Sequence, residues 1–247
     1  MKNDEIKSIV KESYGKIAEG KCGCSCGCSG KDAVQVATSI GYSEDEINSV
    51  PEANLGLGCG NPTAHGGIKE GMVVLDLGSG AGIDCFLSAR KVGKSGRVIG
   101  VDMTEKMIIK ARDNAKNYGF NNVEFRLGDI EALPVDANSV DAVISNCVIN
   151  LAPDKRKVFS EAFRVLKKGG KLFVSDIVLL KELSKEERTN DELIASCVGG
   201  AILKEEYLKL LREAGFRVIS LNEDKEISKR QYDGFPLESL RISATKE

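Results

Sequence analysis

The stretch Val74-Leu-Asp-Leu-Gly-Ser-Gly-Ala-Gly82 decides how this chain folds. Its first residues continue an apolar run that begins at Met72 and is typical of a buried strand. The three glycines that follow allow a tight turn and a close approach of the backbone to a ligand. Helical spacing then continues to about Lys91. A strand, a glycine-rich turn and a helix in this order predict the start of a βαβ unit.

The same alternation continues along the chain. Further strands are predicted over residues 97–102, 123–127, 140–145 and 171–178, with a helix that begins at Thr104 and another that begins at Pro153. A helix that ends at Gly215 precedes two late strands over residues 216–221 and 240–245. This order predicts an α/β fold with a doubly wound, mostly parallel, Rossmann-like sheet.

The remaining segments favour helices or carry unusual composition. Residues 1–18 and 184–203 show helical spacing, and Ser43 with Glu46 matches a capping box. We therefore expect an N-terminal helical extension with a Cys-rich segment over residues 1–50. The main domain would cover residues 51–247 and include a helical insert at about 180–205.

The bulk composition excludes several classes of protein. The chain has 247 residues and a net charge of −2, without the basic surface that nucleic acids or anionic membranes require. No apolar run approaches the ~18 residues of a membrane span, and no apolar segment follows the charged Met1–Glu5. We expect a cytoplasmic monomer. The chain has eight cysteines and one histidine, His65, so the cysteine thiols are the main candidates for metal binding or catalysis.

A carboxylate supports cofactor binding by the βαβ unit. Asp102 ends the second predicted strand, 26 residues after Asp76, where an acid can accept both hydrogen bonds of a ribose diol. The unit therefore binds a cofactor that contains a nucleoside. The dinucleotide fingerprint G-x-G-x-x-G would need glycine at position 83, which is Ile83.

The loop instead resembles the D-x-G-x-G-x-G motif of class I S-adenosylmethionine-dependent methyltransferases. This resemblance implies a set of cofactor contacts: Asp76, Gly78, Ser79, Gly80 and Asn146 near the methionine moiety, Asp102 at the ribose, and Met103, Asp129 and Ile130 at the adenine. Tyr14 either closes over the cofactor from the N-terminal helix or is a core residue of that helix.

Three further segments resemble a more specific family. They surround Cys59 (Asn54–Pro62), Cys147 (Ser145–Asn150) and Cys197 (Ser196–Ala201), and they are similar to segments of arsenite S-adenosylmethionine methyltransferases. Cys147 directly follows the fourth predicted strand, so it should lie beside the methyl donor. The resemblance implies that these three thiolates hold As(III), with the insert covering the site.

The chemistry of arsenic fits this residue set. Trivalent arsenic is soft and thiophilic, and its lone pair can accept a methyl group without losing a proton. No general base is then needed, and catalysis consists mainly of alignment. The implied function is methylation of arsenite and then methylarsenite, for arsenic detoxification. Methyl transfer oxidises the arsenic, so a thiol reductant, thioredoxin or glutathione, would be a co-substrate.

Two other functions remain open at this stage. The chain could methylate another small molecule, such as a quinone precursor, in which case an acid or histidine should act as base. It could also sequester arsenic through its thiols without turnover.

The Cys22-Gly-Cys24-Ser-Cys26-Gly-Cys28 stretch does not have the spacing of a zinc knuckle. It could capture soft metals and pass them inward, supply electrons by forming disulfides, or have little consequence.

Overall fold

The computed structural model describes residues 1–21, 33–65 and 67–247. Its sheet has seven strands in the order β3-β2-β1-β4-β5-β7-β6. The strands are β1 (Val73–Leu77), β2 (Arg97–Asp102), β3 (Val123–Leu127), β4 (Val140–Asn146), β5 (Leu166–Leu179), β6 (Phe216–Asp224) and β7 (Leu237–Lys246). Strands β1 to β5 are parallel, and β7 runs antiparallel between β5 and β6. This confirms the predicted doubly wound, mostly parallel sheet.

Helices cover the sheet and its carboxyl edge. They are α1 (Asn3–Ala18), α2 (Ala33–Ser39), α3 (Glu44–Asn48), α4 (Ile83–Val92), α5 (Glu105–Asn117), α6 (Lys155–Val165), α7 (Lys185–Arg188), α8 (Asp191–Ala195), α9 (Lys204–Glu213) and α10 (Ile227–Gln231). Short 3-10 turns cover Pro51–Ala53, Pro62–His65 and Ile149–Leu151. None of the described helices is long and apolar enough to cross a bilayer.

Several predicted boundaries need correction. Helix α6 begins at Lys155 because the Asp154 side chain, not Pro153, caps it by accepting a hydrogen bond from the Lys157 N–H. The segment 184–203 is only partly helical, since α8 ends at Ala195 and turns follow it. Helices α2 and α10 are short, and hydrophobic spacing did not predict them.

The core places the N-terminal helix against the sheet domain. One apolar layer lies against α6 and α9, a second against α4 and α5, and a third joins α1 to the loops at the carboxyl edge. Val10 of α1 is buried in this third layer together with Cys59, Cys147 and Cys197. Helix α1 packs on both α5 and α8. The division of the chain into an extension and a main domain at residue 50 stays a prediction.

Candidate functional site

The glycine loop shapes the floor of a cavity at the carboxyl edge of the sheet. Gly78 and Gly80 have φ values of +65° and +52°, which favour glycine. A Cβ on Gly78 would lie 2.3 Å from Val148 Cγ2, whereas a Cβ on Gly80 would meet no atom within 4 Å. The buried Ser79 Oγ lines the same cavity and has no hydrogen-bond partner among the described residues. Open space and an unpaired hydroxyl here fit a polar ligand.

Two acids border this loop. Asp102 accepts hydrogen bonds from the Gly80 N–H at 3.0 Å and the Thr104 N–H at 2.8 Å. Burial raises its pKa, and these backbone donors oppose the shift. Asp76 is buried and accepts from the Cys85 thiol at 3.2 Å. Burial, reinforced by the Asp84 charge, raises the pKa of Asp76 well above its usual value.

Lys7, which the sequence did not predict as a site residue, contacts the adenine end of the predicted cofactor site. Asp129 lines the cavity with Met103 and Ile130, and its carboxylate accepts from Lys7 Nζ at 2.6 Å. Lys7 also donates to Glu131 at 2.6 Å. Lys7 lies about two helical turns before Tyr14 on α1, and the ion pair joins it to residues more than 120 positions away in the sequence, so only the folded structure shows it.

Tyr14 also reaches the cavity from α1. Its hydroxyl lies 4.0 Å from the Cys197 sulfur, and burial raises the pKa of Tyr14 well above its usual value, with further contributions from Cys197 and Cys147. The structure therefore places Tyr14 beside the thiols as well as on the cavity wall. Whether it closes over a cofactor stays a prediction.

The three predicted cysteines meet at this edge. The sulfur atoms of Cys59 and Cys147 and a carboxylate oxygen of Asp176 all lie within 4.8 Å of one another. The Cys197 thiol donates to the Cys147 carbonyl oxygen at 2.8 Å. All three residues are buried free cysteines. Cys147 and Cys197 adopt φ values of +55° and +69°, a strained backbone conformation that is enriched at functional sites.

The three thiols differ in acidity. Hydrogen bonds from the Cys197 and Cys59 thiols lower the pKa of Cys147 well below its usual range, against the effect of burial. The Tyr232 hydroxyl, 3.6 Å from the Cys147 sulfur, adds to this effect. Burial raises the pKa of Cys59, and the interaction with Cys147 raises that of Cys197. Cys147 is therefore the thiol of the group that loses its proton most readily, and thiolate is the form that binds soft ions.

A buried polar network holds the Cys59 loop in place. Asn146 Oδ1 accepts from the Cys59 N–H at 3.1 Å, and its Nδ2 donates to the Gly60 carbonyl at 2.8 Å. The same amide donates to the Tyr42 hydroxyl at 2.9 Å and to Asp84 at 3.2 Å. Asn146 thus lines the cavity, and its amide is engaged in positioning Cys59.

Two functional candidates at this edge were missed from the sequence. Asp176 lies near the carboxyl end of the predicted strand over residues 171–178, so the rule that ligands bind at the carboxyl ends of parallel strands could have found it. Tyr232 follows the short helix α10, in a C-terminal segment whose sequence carries no signal for the site.

One cavity brings most of the predicted residues together. Its wall includes ten predicted cofactor residues and two of the cysteines: Tyr14, Asp76, Gly78, Ser79, Gly80, Asp102, Met103, Asp129, Ile130, Asn146, Cys147 and Cys197. Cys59 lies behind the wall, next to the lining residue Gly58. The cysteines at positions 22–28 lie outside the described residues.

Known proteins share this arrangement of elements. A family model described as a methyltransferase domain matches residues 68–215. An arsenite methyltransferase of Halobacterium salinarum is 43% identical over 88% of this chain and 59% of its own length. The Homo sapiens arsenite methyltransferase is 42% identical over 62% of this chain and 44% of its own length. The chain thus spans about half the length of these relatives.

A solved structure extends the match to three dimensions. The crystal structure of an arsenic(III) S-adenosylmethionine methyltransferase from Chlamydomonas reinhardtii is 32% identical, with a TM-score of 0.65, over 89% of this chain and 75% of that one. The chain therefore belongs to the methyltransferase domain family and, within it, to the arsenite S-adenosylmethionine methyltransferases.

Proposed function

We propose that this protein transfers methyl groups from S-adenosylmethionine to trivalent arsenic, first arsenite and then methylarsenite, as a step in arsenic detoxification. The observation that carries the proposal is the meeting of the three thiols Cys59, Cys147 and Cys197 beside the cavity of the glycine loop. The relatives named above support it, since their names state this activity.

The cofactor would occupy the cavity, where the chain offers matching groups. Gly78, Ser79, Gly80, Asp76 and Asn146 would lie around its methionine part, Asp102 at the ribose, and Met103, Asp129 and Ile130 at the adenine, with Tyr14 over it. When bound, S-adenosylmethionine supplies an electrophilic methyl group. The free space above Gly80 and the unpaired Ser79 hydroxyl support this placement.

The protein's contribution is to bind and orient the arsenic. Three thiols displace the three hydroxyl groups of arsenite as water, which leaves a pyramidal arsenic whose lone pair is the nucleophile. The Cys147 thiolate would attack first. Because no proton leaves the arsenic, the buried thiols need no partner base. Burial excludes water and fixes the distance between arsenic and donor.

We propose further features of the protein in the cell. It would act as a cytoplasmic monomer without nucleic-acid or membrane partners, with thioredoxin or glutathione as reductant. We also propose that residues 1–50 form an extension and that residues 180–205 form the insert that binds substrate.

Arsenic speciation tests the function. We expect methylated arsenicals after incubation of the protein with arsenite, S-adenosylmethionine and a thiol reductant. If arsenic and cofactor both bind without product, the protein is a sequestering one. If cofactor binds without arsenic, the substrate is a different small molecule.

A serine variant tests the roles of the thiols. Arsenite has three exchangeable ligands and methylarsenite has two, while Cys147 and Cys197 line the cavity and Cys59 lies behind it. Cys59→Ser should therefore abolish methylation of arsenite and spare methylation of methylarsenite. Equal loss on both substrates would refute this assignment.

A further inference from the structure

A buried carboxylate beside the thiols has no part in the proposed arsenic chemistry. Asp176 is fully buried, and a carboxylate oxygen lies within 4.8 Å of the sulfur atoms of both Cys59 and Cys147. Trivalent arsenic takes three thiolates and keeps a lone pair, so it does not need this oxygen. The trio combines two sulfur ligands and one oxygen ligand, and the Cys197 sulfur is not one of its members.

The hydrogen bonds of Asp176 leave it able to bind a cation. Oδ1 accepts from Asn150 Nδ2 at 2.9 Å and from the Ile177 N–H at 3.0 Å, and Oδ2 accepts from the Tyr207 hydroxyl at 3.1 Å. A carboxylate has about four acceptor positions, so one on Oδ2 remains without a hydrogen bond from the described residues. The buried Lys155 does not take it, because its hydrogen bonds go to backbone carbonyls.

The distances between the three ligand atoms are close to those around a tetrahedrally coordinated metal ion. Bonds of about 2.3 Å to sulfur and about 2.1 Å to oxygen place ligand atoms roughly 3.5–3.8 Å apart. The observed separations, all within 4.8 Å, exceed these values by little more than 1 Å at most. Cys147 also faces the cavity, which leaves a fourth position open to water, as in sites with three protein ligands.

We propose that Cys59, Cys147 and Asp176 form a binding site for a thiophilic divalent cation of the Zn²⁺ and Cd²⁺ class. The protons that the cation displaces from its ligands pass to solvent. Because two of the three ligands are shared with the proposed arsenic site, cation and arsenic cannot bind together. The cation would therefore inhibit arsenic methylation, a consequence that rests on the proposed function, whereas the binding itself does not.

The two ligand sets share two residues and differ in one. Arsenic would use Cys197 and not Asp176, and the cation would use Asp176 and not Cys197. This predicts opposite effects of two single substitutions. Asp176→Asn should weaken cation binding and keep arsenite binding, and Cys197→Ser should do the reverse.

Cadmium alone is the probe for the experiment. Titrations of the full chain use a background in which Cys22, Cys24, Cys26 and Cys28 are serine, so that only the described thiols remain. The thiolate-to-cadmium absorption band should saturate at one ion per chain. Asp176→Asn should bind Cd²⁺ at least about tenfold more weakly, since loss of even a supporting partner of a metal site costs 10–100-fold. Cys197→Ser should bind it as before.

A second measurement needs no substitution of the three proposed ligands, so it does not depend on the folding of a variant. Cadmium NMR of the unsubstituted site should show the chemical shift of mixed sulfur and oxygen ligation. An all-sulfur shift, an unchanged Cd²⁺ affinity in Asp176→Asn, or an equal loss of affinity in Cys197→Ser would each overturn the proposal. Absence of methylation would contradict the proposed function and leave these binding results valid.

Discussion

The cofactor side and the thiol side of the cavity are built in different ways. On the cofactor side, the loop over residues 76–82 and Asp102 belong to one βαβ unit, and backbone N–H groups hold the Asp102 carboxylate. On the thiol side, Cys59, Cys147 and Cys197 come from three distant segments, and side-chain networks hold them. Local sequence therefore specifies the first side, while tertiary packing assembles the second.

Helix α1 is the element that contacts both sides. Lys7 binds Asp129 at the cofactor side, and the Tyr14 hydroxyl approaches the Cys197 sulfur on the thiol side. The helix thus covers the cavity between the two sites. If the two sides are built independently, substitutions on one side should affect one ligand alone, and loss of the cavity-covering position of α1 should affect both.

The largest effect is expected from the buried Cys147 on the thiol side, and the buried Cys85 on the cofactor side provides the control. Cys147→Ser removes the thiolate of the site, so arsenite methylation should fall by about 100-fold or more, which corresponds to about 2.7 kcal/mol or more in the barrier. Cofactor affinity should not change. Cys85→Ser is the control, because a hydroxyl can replace its bond to Asp76.

Product chromatography and calorimetry with S-adenosylmethionine measure the two properties. A Cys147→Ser protein that still methylates arsenite at the normal rate would contradict the thiol site.

The contrast between the two sides explains what the sequence could predict. The strand pattern predicted the five parallel strands and both late strands, and β5 shows the largest error because it begins at Leu166 and not at residue 171. The parallel strands were predictable because buried parallel strands have continuous apolar runs. The glycine loop and Asp102 followed from the same unit. The cysteines required resemblance, since a single buried cysteine is ordinarily a small apolar residue.

Other residues had no local signal. Lys7 looks like an exposed helix residue until α1 packs on the sheet, and Tyr42 and Asp84 become partners only in the fold. Tyr232 depends on the turn after α10. Such contacts join segments far apart in sequence, so neither periodicity nor spacing contains them.

Two glycines separate backbone strain from ligand contact. Gly80 and Gly119 both have positive φ, and a Cβ on either would meet nothing within 4 Å. Gly80→Ala and Gly119→Ala should therefore each lose about 1 kcal/mol of stability. Only Gly80 borders the cavity, so only Gly80→Ala should weaken S-adenosylmethionine binding, by about tenfold, or 1.4 kcal/mol. Urea unfolding and calorimetry give both values. Equal cofactor affinity in the two variants would move the cofactor away from Gly80.

Asp84 gives the thiol side a pH dependence. Burial raises the pKa of Asp84 to about 6, while hydrogen bonds from Tyr42 and Asn146 oppose the shift. The folded state then binds a proton more tightly than the unfolded state. The protonated Asp84 therefore stabilises the fold at low pH, and this contribution is lost as the pH rises from about 4 to about 6. Asp84→Asn should remove this part of the pH dependence of the free energy of unfolding, a change on the order of 1–3 kcal/mol. Urea unfolding at pH 4 and pH 7 measures the difference between the two proteins. Identical slopes would show that Asp84 is charged throughout.

The smallest effect is expected from the contact of α1 with the cofactor side. Lys7 lies 2.6 Å from both Asp129 and Glu131, and its side chain is 19% exposed. Lys7→Met should lower stability by about 1 kcal/mol, near the upper limit for partly exposed ion pairs. The cofactor should dissociate a few times faster, because α1 covers the cavity less tightly.

Lys16→Met is the matched control on the same helix, because the one ion pair that Lys16 forms among the described residues is with the exposed Glu12, one turn away. Such a pair contributes about 0.3–0.5 kcal/mol, and it does not touch the cavity. Its loss should therefore leave the dissociation rate unchanged. Thermal unfolding and stopped-flow release of S-adenosylmethionine compare the two variants. If both release the cofactor at the same rate, α1 does not retain it, and Lys7 only attaches the helix to the sheet domain.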